Sequence, residues 1–390
     1  MGGHRAQAHP EAITAPATLG VLGGGQLGRF LVTAAHELGY DVWVLDPDPG
    51  SPAGRIADRH LVADYDDPAS LDLLASGCRA VTTEFENVPA GTLAGLATRT
   101  IVRPGPAAVA VCQDRLAEKA FLRERGFPCG AFAPVHDEHD LRTADARLFP
   151  GILKVARFGY DGKGQAVVAD REEALAAYAG AGGVPSVLEG LLHLERELSI
   201  VLGRGASGEV RCFPVAENRH VGGILDTSIA PAHVDEGVAA EAEHLAARIA
   251  EELDYIGVMA VELFVSGGRL LVNELAPRPH NSGHVTLDSC ATNQFEQQVR
   301  ALCGLPLGSG DAHASAVMVN LLGDLWSADS GSEPDWAPLL AQPGLRLHLY
   351  GKRQARAGRK MGHFTVVGHD REAVFERAMA ARAAIGIADP

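Results

Sequence analysis

Residues 259–284, MAVELFVSGGRLLVNELAPRPHNSGH, constrain the fold more than any other stretch of the sequence. They predict two apolar strands, MAVELFV and RLLVNEL, joined by a Ser-Gly-Gly turn. Each strand carries one carboxylate, Glu262 or Glu274, among apolar neighbours, and a carboxylate buried there needs a partner. A divalent cation such as Mg²⁺, held by both glutamates, is one such partner.

The register of this hairpin decides whether the two glutamates can share an ion, because successive side chains of a strand point to opposite faces. A tight two-residue turn at Gly267 and Gly268 would put Glu262 opposite Asn273 and turn Glu274 away. A three-residue loop or a bulge would put both glutamates on one face. The metal hypothesis therefore predicts an odd loop, and the alternative is a hairpin with two glutamates on a solvated face.

The composition is that of an ordinary globular protein. Its 390 residues predict two or three domains, with 46% hydrophobic and 21% charged residues. The formal net charge of −15 argues against a general nucleic-acid-binding protein, which would have a basic surface. An anionic ligand must therefore meet a local cluster of basic side chains.

Targeting and redox features are few. The six cysteines include no CxxC pair, so the sequence indicates neither a zinc site nor a disulfide framework and favours a reducing cytoplasm. No apolar run reaches the ~20 residues that span a bilayer. Residues 1–17 lack the apolar region of a secretory signal, and we expect them to form a disordered leader.

Residues 18–48 predict a strand, a glycine turn, an amphipathic helix and a second strand. Gly23, Gly25 and Gly28 fit G-x-G-x-x-G, and Asp46 ends the second strand, as in a dinucleotide-binding unit. A dinucleotide dehydrogenase, a site for another phosphorylated ligand and a simple tight turn all fit this pattern.

Glu84 and Glu86 end a later strand, where ligands bind in open α/β sheets. They could hold ligand hydroxyls or an amine, or cap the start of a helix.

Lys154 alternates with apolar residues in the predicted strand FPGILKVA, which indicates an anionic partner. The glycine loop that follows, residues 157–165, can close its amides over phosphates, and Lys163 adds charge. The Walker A spacing is absent. A plain hairpin turn is the alternative, but it leaves Lys154 unexplained.

Two further segments predict ligand contacts. Glu189 and Glu197 lie on strands whose ends suit an adenine and a ribose, although a charged edge strand is the alternative. Residues 352–360 contain five basic and no acidic side chains between two predicted strands. In so acidic a protein this loop is the best site for an external anion, and a solvated basic hairpin is the alternative.

In this order the motifs resemble the ATP-grasp superfamily, and more closely its N5-carboxyaminoimidazole ribonucleotide synthetase (PurK) family. GGGQLGR, EFENV, FGYDGKGQ, NELAPRPHNSGH and GRKMGH carry the resemblance, which runs from Thr18 to about Ile387. It implies an α/β, ATP-grasp fold with flanking domains. The implied parts are an N-terminal Rossmann-like (pre-ATP-grasp) parallel-sheet domain at 18–110, an ATP-grasp domain at 111–310 with a glycine-loop lid at about 130–200, and a small C-terminal β-rich domain at 311–390.

The resemblance implies ATP- and bicarbonate-dependent carboxylation of 5-aminoimidazole ribonucleotide through carboxyphosphate, in de novo purine biosynthesis. It implies Mg²⁺, with Mn²⁺ as a substitute, and a homodimer formed through the first and last domains. We expect no nucleic-acid or membrane partner.

The implied site residues fall into four groups. The metal ligands are Glu262 and Glu274. The ATP-binding residues are Arg115, Lys154, Gly159, Tyr160, Asp161, Gly162, Lys163, Gly164, Gln165, Glu189, Gly190, Leu191, Leu192, Glu197, His220, Asn273 and Glu274. The substrate-binding residues are Gln26, Leu27, Glu84, Glu86, Tyr160, Arg278, His280, His284, Lys352 and Arg359. The catalytic residues are Arg278, Asp161 and Lys163, of which Arg278 is expected to stabilise the charge of carboxyphosphate.

Two alternative functions are compatible with parts of these motifs. Formate-dependent glycinamide ribonucleotide transformylase resembles the chain in GGGQLG and PRPH, but its loop typically continues Asp-Thr-Gly, whereas this one continues Asn281-Ser282-Gly283-His284. A non-catalytic nucleotide-binding ATP-grasp protein is the other alternative. The carboxylates of the hairpin and Lys154 argue against it.

Overall fold

The computed structural model describes residues 12–159, 162–326 and 332–388. Tyr160 and Asp161, most of the expected leader and part of the linker at 327–338 lie outside the described residues. The described strands form three sheets of five, four and nine strands.

The first sheet is parallel throughout and has the strand order β3-β2-β1-β4-β5. The carboxyl ends of β1 and β4 lie side by side, since Leu22 pairs with Thr83. The glycine turn and Glu84, which follow these two strands, are therefore neighbours. The strands are β1 Thr18–Leu22, β2 Asp41–Leu45, β3 Arg59–Leu61, β4 Ala80–Thr83 and β5 Ile101–Val102, and the helices are α1 Gln26–Glu37, α2 Pro68–Gly77, α3 Ala90–Ala97 and α4 Pro106–Cys112.

The second sheet is antiparallel with the order β6-β9-β7-β8. The glycine loop connects β7 to β8, and Lys154 pairs with Gln165 across its base. The strands are β6 Phe132–Val135, β7 Gly151–Val155, β8 Gln165–Val168 and β9 Ser186–Gly190, and the helices are α5 Arg115–Glu124, α6 Glu138–Thr143 and α7 Arg171–Gly180.

The third sheet is antiparallel, with the order β15-β14-β10-β12-β13-β16-β18-β17 and β11 paired to β10. Its C-terminal strands do not form a separate sheet, because β16 pairs with β13 and continues the sheet. The strands are β10 Arg196–Arg204, β11 Val210–Cys212, β12 Ala216–Val221, β13 Ile224–Ala230, β14 Gly257–Ser266, β15 Arg269–Ala276, β16 Ser315–Leu322, β17 Leu345–Leu349 and β18 Lys360–Gly368. The helices are α8 Glu236–Glu252, α9 Thr286–Ser289, α10 Gln294–Cys303, α11 Ala337–Leu340 and α12 Arg371–Ala384, with 3₁₀ turns at Ala146–Leu148, Ser282–Val285 and Gly323–Leu325.

Helix α10 joins the first sheet to the third. Its Phe295 and Val299 pack into the apolar core that contains α1. Arg103, which is buried, donates to the carbonyl of Ala301 at 2.8 Å, and Gln298 donates to Thr82 Oγ1 at 2.9 Å. These contacts hold the glycine turn of the first sheet close to the loop that follows β15. Among the described residues, no helix is both long and apolar enough to cross a membrane.

Candidate active site

Glu262 lies directly opposite Glu274 in the β14–β15 pair. The turn between the strands has two residues, Gly267 and Gly268, with φ of 57° and 68°, so the prediction of an odd loop is wrong. The register shifts between Leu263, which faces Val272, and Glu262, which faces Glu274. Asn273 is thus the extra residue of a β-bulge, the other route to a shared face, and the register condition for a shared cation is met.

The electrostatics of this pair favour a hard cation. Burial raises the pKa of Glu262, and the nearby Glu274 raises it further. Asn273 Nδ2 donates to Glu262 Oε2 at 3.2 Å, and His280 Nε2 lies 3.4 Å from Glu262 Oε1. The buried Asn273 Oδ1 has no hydrogen-bond partner among the described residues. Two carboxylates beside a free amide oxygen are the type of donor set that Mg²⁺ accepts.

Two cations expected to hold phosphates border this pair. Arg115 Nη1 lies 2.9 Å from Glu274 Oε2, and its Nη2 lies 3.5 Å from the Gly159 carbonyl oxygen at the start of the glycine loop. Lys154 Nζ lies 3.1 Å from Glu189 Oε1. Burial lowers the pKa of Lys154, although Glu189 opposes the shift. Arg115 and Lys154 therefore link the metal pair, the glycine loop and strand β9.

The residues from Glu189 to Leu192, which are predicted to bind adenine and ribose, lie at the end of β9. The amides of Gly190 and Leu191 donate to the carbonyls of Ala131 and Pro150, each at 2.9 Å, so these two amides are already used. The side chain of Leu191 is exposed and offers an apolar surface.

On the neighbouring strands, Glu197 Oε2 lies 2.5 Å from His220 Nδ1. Burial opposes protonation of His220, but its hydrogen bond to Glu197 raises the pKa above the ordinary value. Glu197, which is predicted to bind the ribose, is thus held in place by His220, which is also predicted to contact ATP.

The glycine turn after β1 is filled by side chains of its own sheet. Glu84 accepts hydrogen bonds from the amides of Gly25 at 2.9 Å and Gly28 at 3.0 Å, and Asp46 accepts from Gly24 at 2.7 Å. Glu84 is buried, and burial raises its pKa. Carboxylates thus occupy the amides of Gly24, Gly25 and Gly28, the glycines that would approach the phosphates of a dinucleotide, which argues against the dehydrogenase alternative.

Gln26 and Leu27, predicted contacts for the substrate phosphate, form the first turn of α1 beside Glu84. The role of Glu84 as a direct ligand contact stays a prediction. In this structure both of its oxygens hold backbone amides.

Arg278 and Glu86 form a second ion pair of the cleft. Arg278 Nε lies 2.9 Å from Glu86 Oε2, and Nη2 of the same guanidinium also donates to this oxygen. Burial disfavours the charge on Arg278, but Glu86 raises its pKa above the usual range. His280, two residues further on, has a pKa well below its usual range because it is buried and lies near Arg278. The cleft thus combines a fixed cation with a neutral imidazole.

His284 lies deeper than the sequence suggested. It is fully buried and stacks on His363 with ring centroids 4.7 Å apart, beside Phe30 and Phe295. A direct contact with bicarbonate would require this aromatic cluster to open. The assignment therefore stays a prediction, and the contacts in the structure are those of a residue that supports its loop.

The basic loop lies between β17 and β18. Lys352 Nζ donates to the Lys360 carbonyl at 2.7 Å, and Arg359 Nη1 donates to the Gln354 carbonyl at 2.8 Å. Arg55 of the first-sheet region donates to the Gly351 carbonyl at 3.0 Å. This bond holds the basic loop beside the segment between β2 and β3, which follows the carboxyl end of β2 in the first sheet.

Two charged residues of α5, Glu118 and Lys119, belong to the site although the sequence motifs did not predict them. Lys119 lies 3.2 Å from Glu189 and donates to the Asn273 carbonyl at 3.0 Å, and Glu118 accepts from the Leu275 amide at 2.8 Å. Lys119 is four residues after Arg115, so the helical period places both on one face. That spacing is the signal that could have revealed Lys119.

A further acid and histidine cluster lies outside the cleft. Asp288, His348 and His363 each offer a ligand atom within 4.8 Å of the others. However, His348 Nε2 is already paired with Asp288 at 2.8 Å, and the rings of His348 and His363 stack at 4.6 Å and 19°. Stacked rings do not direct their in-plane nitrogen lone pairs at one ion, so we assign no metal to this cluster.

Comparison with known families gives three matches in chain order. A ribonucleotide synthetase preATP-grasp domain matches residues 16–113, an ATP-grasp domain matches residues 120–295, and a phosphoribosylaminoimidazole carboxylase C-terminal domain matches residues 316–377.

Curated relatives align over most of their length. The N5-carboxyaminoimidazole ribonucleotide synthase of Brucella melitensis is 47% identical over 352 residues, covering 89% of this chain and 95% of the relative. The synthase of Bacillus subtilis is 41% identical over 351 residues, covering 90% and 91%.

Solved structures show the same likeness. N5-carboxyaminoimidazole ribonucleotide synthetase from Thermus thermophilus superposes with a TM-score of 0.87 at 41% identity, covering 95% of this chain and 99% of the other. The Aspergillus clavatus synthase in complex with ADP and 5-aminoimidazole ribonucleotide superposes with a TM-score of 0.86 at 30% identity, covering 95% and 98%. The likeness therefore includes all three sheets.

Proposed function

Because the chain belongs to the N5-carboxyaminoimidazole ribonucleotide synthase family of ATP-grasp ligases, we propose a division of the chemistry among the residues of its cleft. The reaction is the ATP-dependent carboxylation of 5-aminoimidazole ribonucleotide to N5-carboxyaminoimidazole ribonucleotide in purine biosynthesis. Bicarbonate supplies the carboxyl group, and ADP and phosphate are released. The complex of the Aspergillus clavatus relative with ADP and this ribonucleotide supports ATP and 5-aminoimidazole ribonucleotide as substrates.

Bicarbonate is a poor electrophile, so the γ-phosphoryl group is first transferred to one of its oxygens to give carboxyphosphate. The substrate amine then attacks the carboxyl carbon of carboxyphosphate and phosphate leaves, or carboxyphosphate first breaks down to phosphate and CO₂ and the amine attacks the CO₂. On either route the nitrogen loses a proton. Such transfers depend on positioning and charge neutralisation. Arg115, Lys154 and the amides of residues 159–165 bind the phosphates, with Lys163 beside them, and closure of this loop shields carboxyphosphate from water.

Glu262 and Glu274 hold Mg²⁺, with Mn²⁺ as a substitute, which neutralises phosphate charge when it is bound. Their opposed register, the raised pKa of Glu262 and the free oxygen of Asn273 support this assignment. Glu189 to Leu192, Glu197 and His220 bind adenine and ribose.

Arg278 stabilises the developing charge of carboxyphosphate, because it is a half-buried cation near Glu274 of the metal pair. Glu86 orients its guanidinium. His280 stays neutral and contacts bicarbonate through its ring. Lys352 and Arg359 clamp the 5′-phosphate of the ribonucleotide against the first turn of α1. Tyr160 and Asp161 are assigned to the ribonucleotide and the nucleotide by family resemblance alone.

The observation that carries this proposal is the register that places Glu262 opposite Glu274, with Arg115 on the second glutamate. The test is ADP release by the purified protein with ATP and Mg²⁺. We expect release to require both 5-aminoimidazole ribonucleotide and bicarbonate. Release driven instead by formate and glycinamide ribonucleotide would overturn the proposal.

The wider setting is also proposed from the family. We infer domain divisions near residues 110 and 310. We also infer a homodimer, which a measurement of molar mass by light scattering at micromolar concentration tests. All six cysteines are free, which supports the prediction of a reducing, cytoplasmic location.

A further inference from the structure

We propose that Glu118 and Lys119 of α5 are positioning residues that hold the Asn273 bulge and thereby keep Glu274 opposite Glu262. Neither touches the reacting atoms. The inference rests on the proposed function, since it assigns these residues to the geometry of the proposed cation site.

The first observation is the bond from Lys119 to the bulge itself. Its Nζ donates to the carbonyl of Asn273, the extra residue, at 3.0 Å. The Lys119 side chain is only 1% exposed, so its charge has almost no access to water. A buried ammonium needs fixed partners, and this one has the bulge carbonyl and the Glu189 carboxylate.

The second observation is the bond from the neighbouring residue on the far side of Glu274. Glu118 Oε2 accepts from the amide of Leu275 at 2.8 Å, and Glu118 is also buried. The two consecutive side chains of α5 therefore bind the backbone immediately before and immediately after Glu274.

Strand β15 needs such support because it lies at an edge of the nine-stranded sheet. No other described strand pairs with its outer edge, where an isolated bridge joins Val272 to Cys129 and the Val272 amide donates to the Pro128 carbonyl at 2.8 Å. A bulge interrupts the ladder, and a slip of one residue would restore regular pairing but turn Glu274 to the other face. The bonds from α5 favour the bulged register over that slip.

Lys119 also compensates the charge of Glu189 when ATP binds. Glu189 is paired with both Lys154 and Lys119, which together lower its pKa despite its burial. If Lys154 turns towards a phosphate, Lys119 still compensates Glu189. The same ammonium thus connects the nucleotide end of the cleft to the bulge that carries a metal ligand.

The test uses Glu118→Leu and Lys119→Met, which remove the two bonds. Glu118→Gln keeps an acceptor for the Leu275 amide, and Arg123→Met changes an exposed cation of the same helix. Mn²⁺ affinity in the presence of ADP is measured by the electron paramagnetic resonance signal of free Mn²⁺. We expect Glu118→Leu and Lys119→Met to weaken Mn²⁺ binding by about 10- to 100-fold, as for other outer-shell partners of a metal site. The Gln and Arg123 variants should stay near wild type.

Two further measurements separate positioning from general damage. The KM for 5-aminoimidazole ribonucleotide should change less than about twofold, and amide exchange should accelerate at residues 272–276 while the first sheet stays protected. Equal weakening of Mn²⁺ and ribonucleotide binding, or unchanged Mn²⁺ affinity, would overturn the inference. Rapid exchange of the Leu275 amide in the wild-type protein would also overturn it, and this readout remains if a variant does not fold.

The Mn²⁺-binding and amide-exchange measurements do not depend on turnover. If the wild-type protein binds Mn²⁺ with ADP but fails to release ADP with its proposed substrates, the proposed reaction is wrong and the role of the two α5 residues still stands. If the variants bind Mn²⁺ like wild type while the reaction is confirmed, only the present inference fails.

Discussion

Glu274 faces Glu262 because Asn273 is accommodated as an extra residue in β15. Without it, the tight turn at Gly267 and Gly268 would leave the two carboxylates on opposite faces. A single inserted residue thus converts an ordinary hairpin into a pair of carboxylates next to Arg115.

Glu262→Gln and Glu274→Gln should each abolish most ADP formation. An amide keeps the shape of the side chain but removes the negative charge that holds Mg²⁺, so we expect kcat to fall by about 10²- to 10³-fold. Rates are measured at saturating ATP and increasing Mg²⁺. Glu252→Gln, on the surface of α8, is the control, and unchanged rates in both cleft variants would contradict the metal assignment.

Arg278→Lys should lower kcat more than it raises the KM for ATP. Lysine keeps the charge but cannot present two parallel N–H groups to Glu86 and an oxyanion, so we expect a loss of about 10²-fold in kcat. Steady-state kinetics with each substrate varied provide the measurement. A change confined to the KM for ATP would place Arg278 at the nucleotide instead.

Lys352→Met and Arg359→Met should weaken binding of the ribonucleotide. Loss of one hydrogen bond to a charged phosphate costs about 1.5–3 kcal/mol, which corresponds to a rise in KM of roughly 10- to 100-fold. The KM for ATP should stay the same. Arg356→Met is the matched control, because Arg356 is an exposed cation of the same loop. An equal effect of all three variants would indicate general attraction by the basic loop.

Glu84→Ala should destabilise the first sheet. It would leave the amides of Gly25 and Gly28 without acceptors, and we expect the free energy of unfolding to fall by about 1–3 kcal/mol per unsatisfied group. Urea denaturation measures the change, with Glu37→Ala on the exposed face of α1 as control. The wild-type protein should not bind NAD in a calorimetric titration, since carboxylates already occupy the turn.

The cysteines should be unreactive in the native protein. Burial raises the pKa of Cys78 and Cys212 to about 12 and that of Cys290 and Cys303 to about 11. At pH 8 their thiolate fractions are then about 10⁻³ or lower, and the thiolate is the reactive form. Reaction with a disulfide reagent should be slow until denaturant is added, after which all six thiols should react. Rapid reaction of Cys78 or Cys290 in the native protein would contradict their burial.

Much of the architecture could be predicted from sequence because its signals are local. The strand, glycine turn and helix of residues 18–48, the hairpin with its two glutamates and the glycine loop after Lys154 are each specified by alternation, helical period and turn residues within short segments. The same signals, taken in order, were enough for the resemblance to a family of ligases.

Contacts between distant segments could not be predicted in this way. The bulge at Asn273 is bonded by Lys119, 154 positions earlier, and the amides of the glycine turn are filled by Glu84, 59 positions after Gly25. The burial of His284 depends on its stack with His363, and among the described strands the C-terminal ones join the third sheet through the pairing of β16 with β13. No periodic pattern encodes such pairings.

The sequence by itself therefore determined which chemical groups this protein possesses and on which kind of element each one lies. The tertiary structure alone decided which of them meet. Register, burial and the partner of each charge depend on the packing of segments far apart in the chain, and a shift of one residue in β15 would separate Glu262 from Glu274 without any change in composition or local propensity.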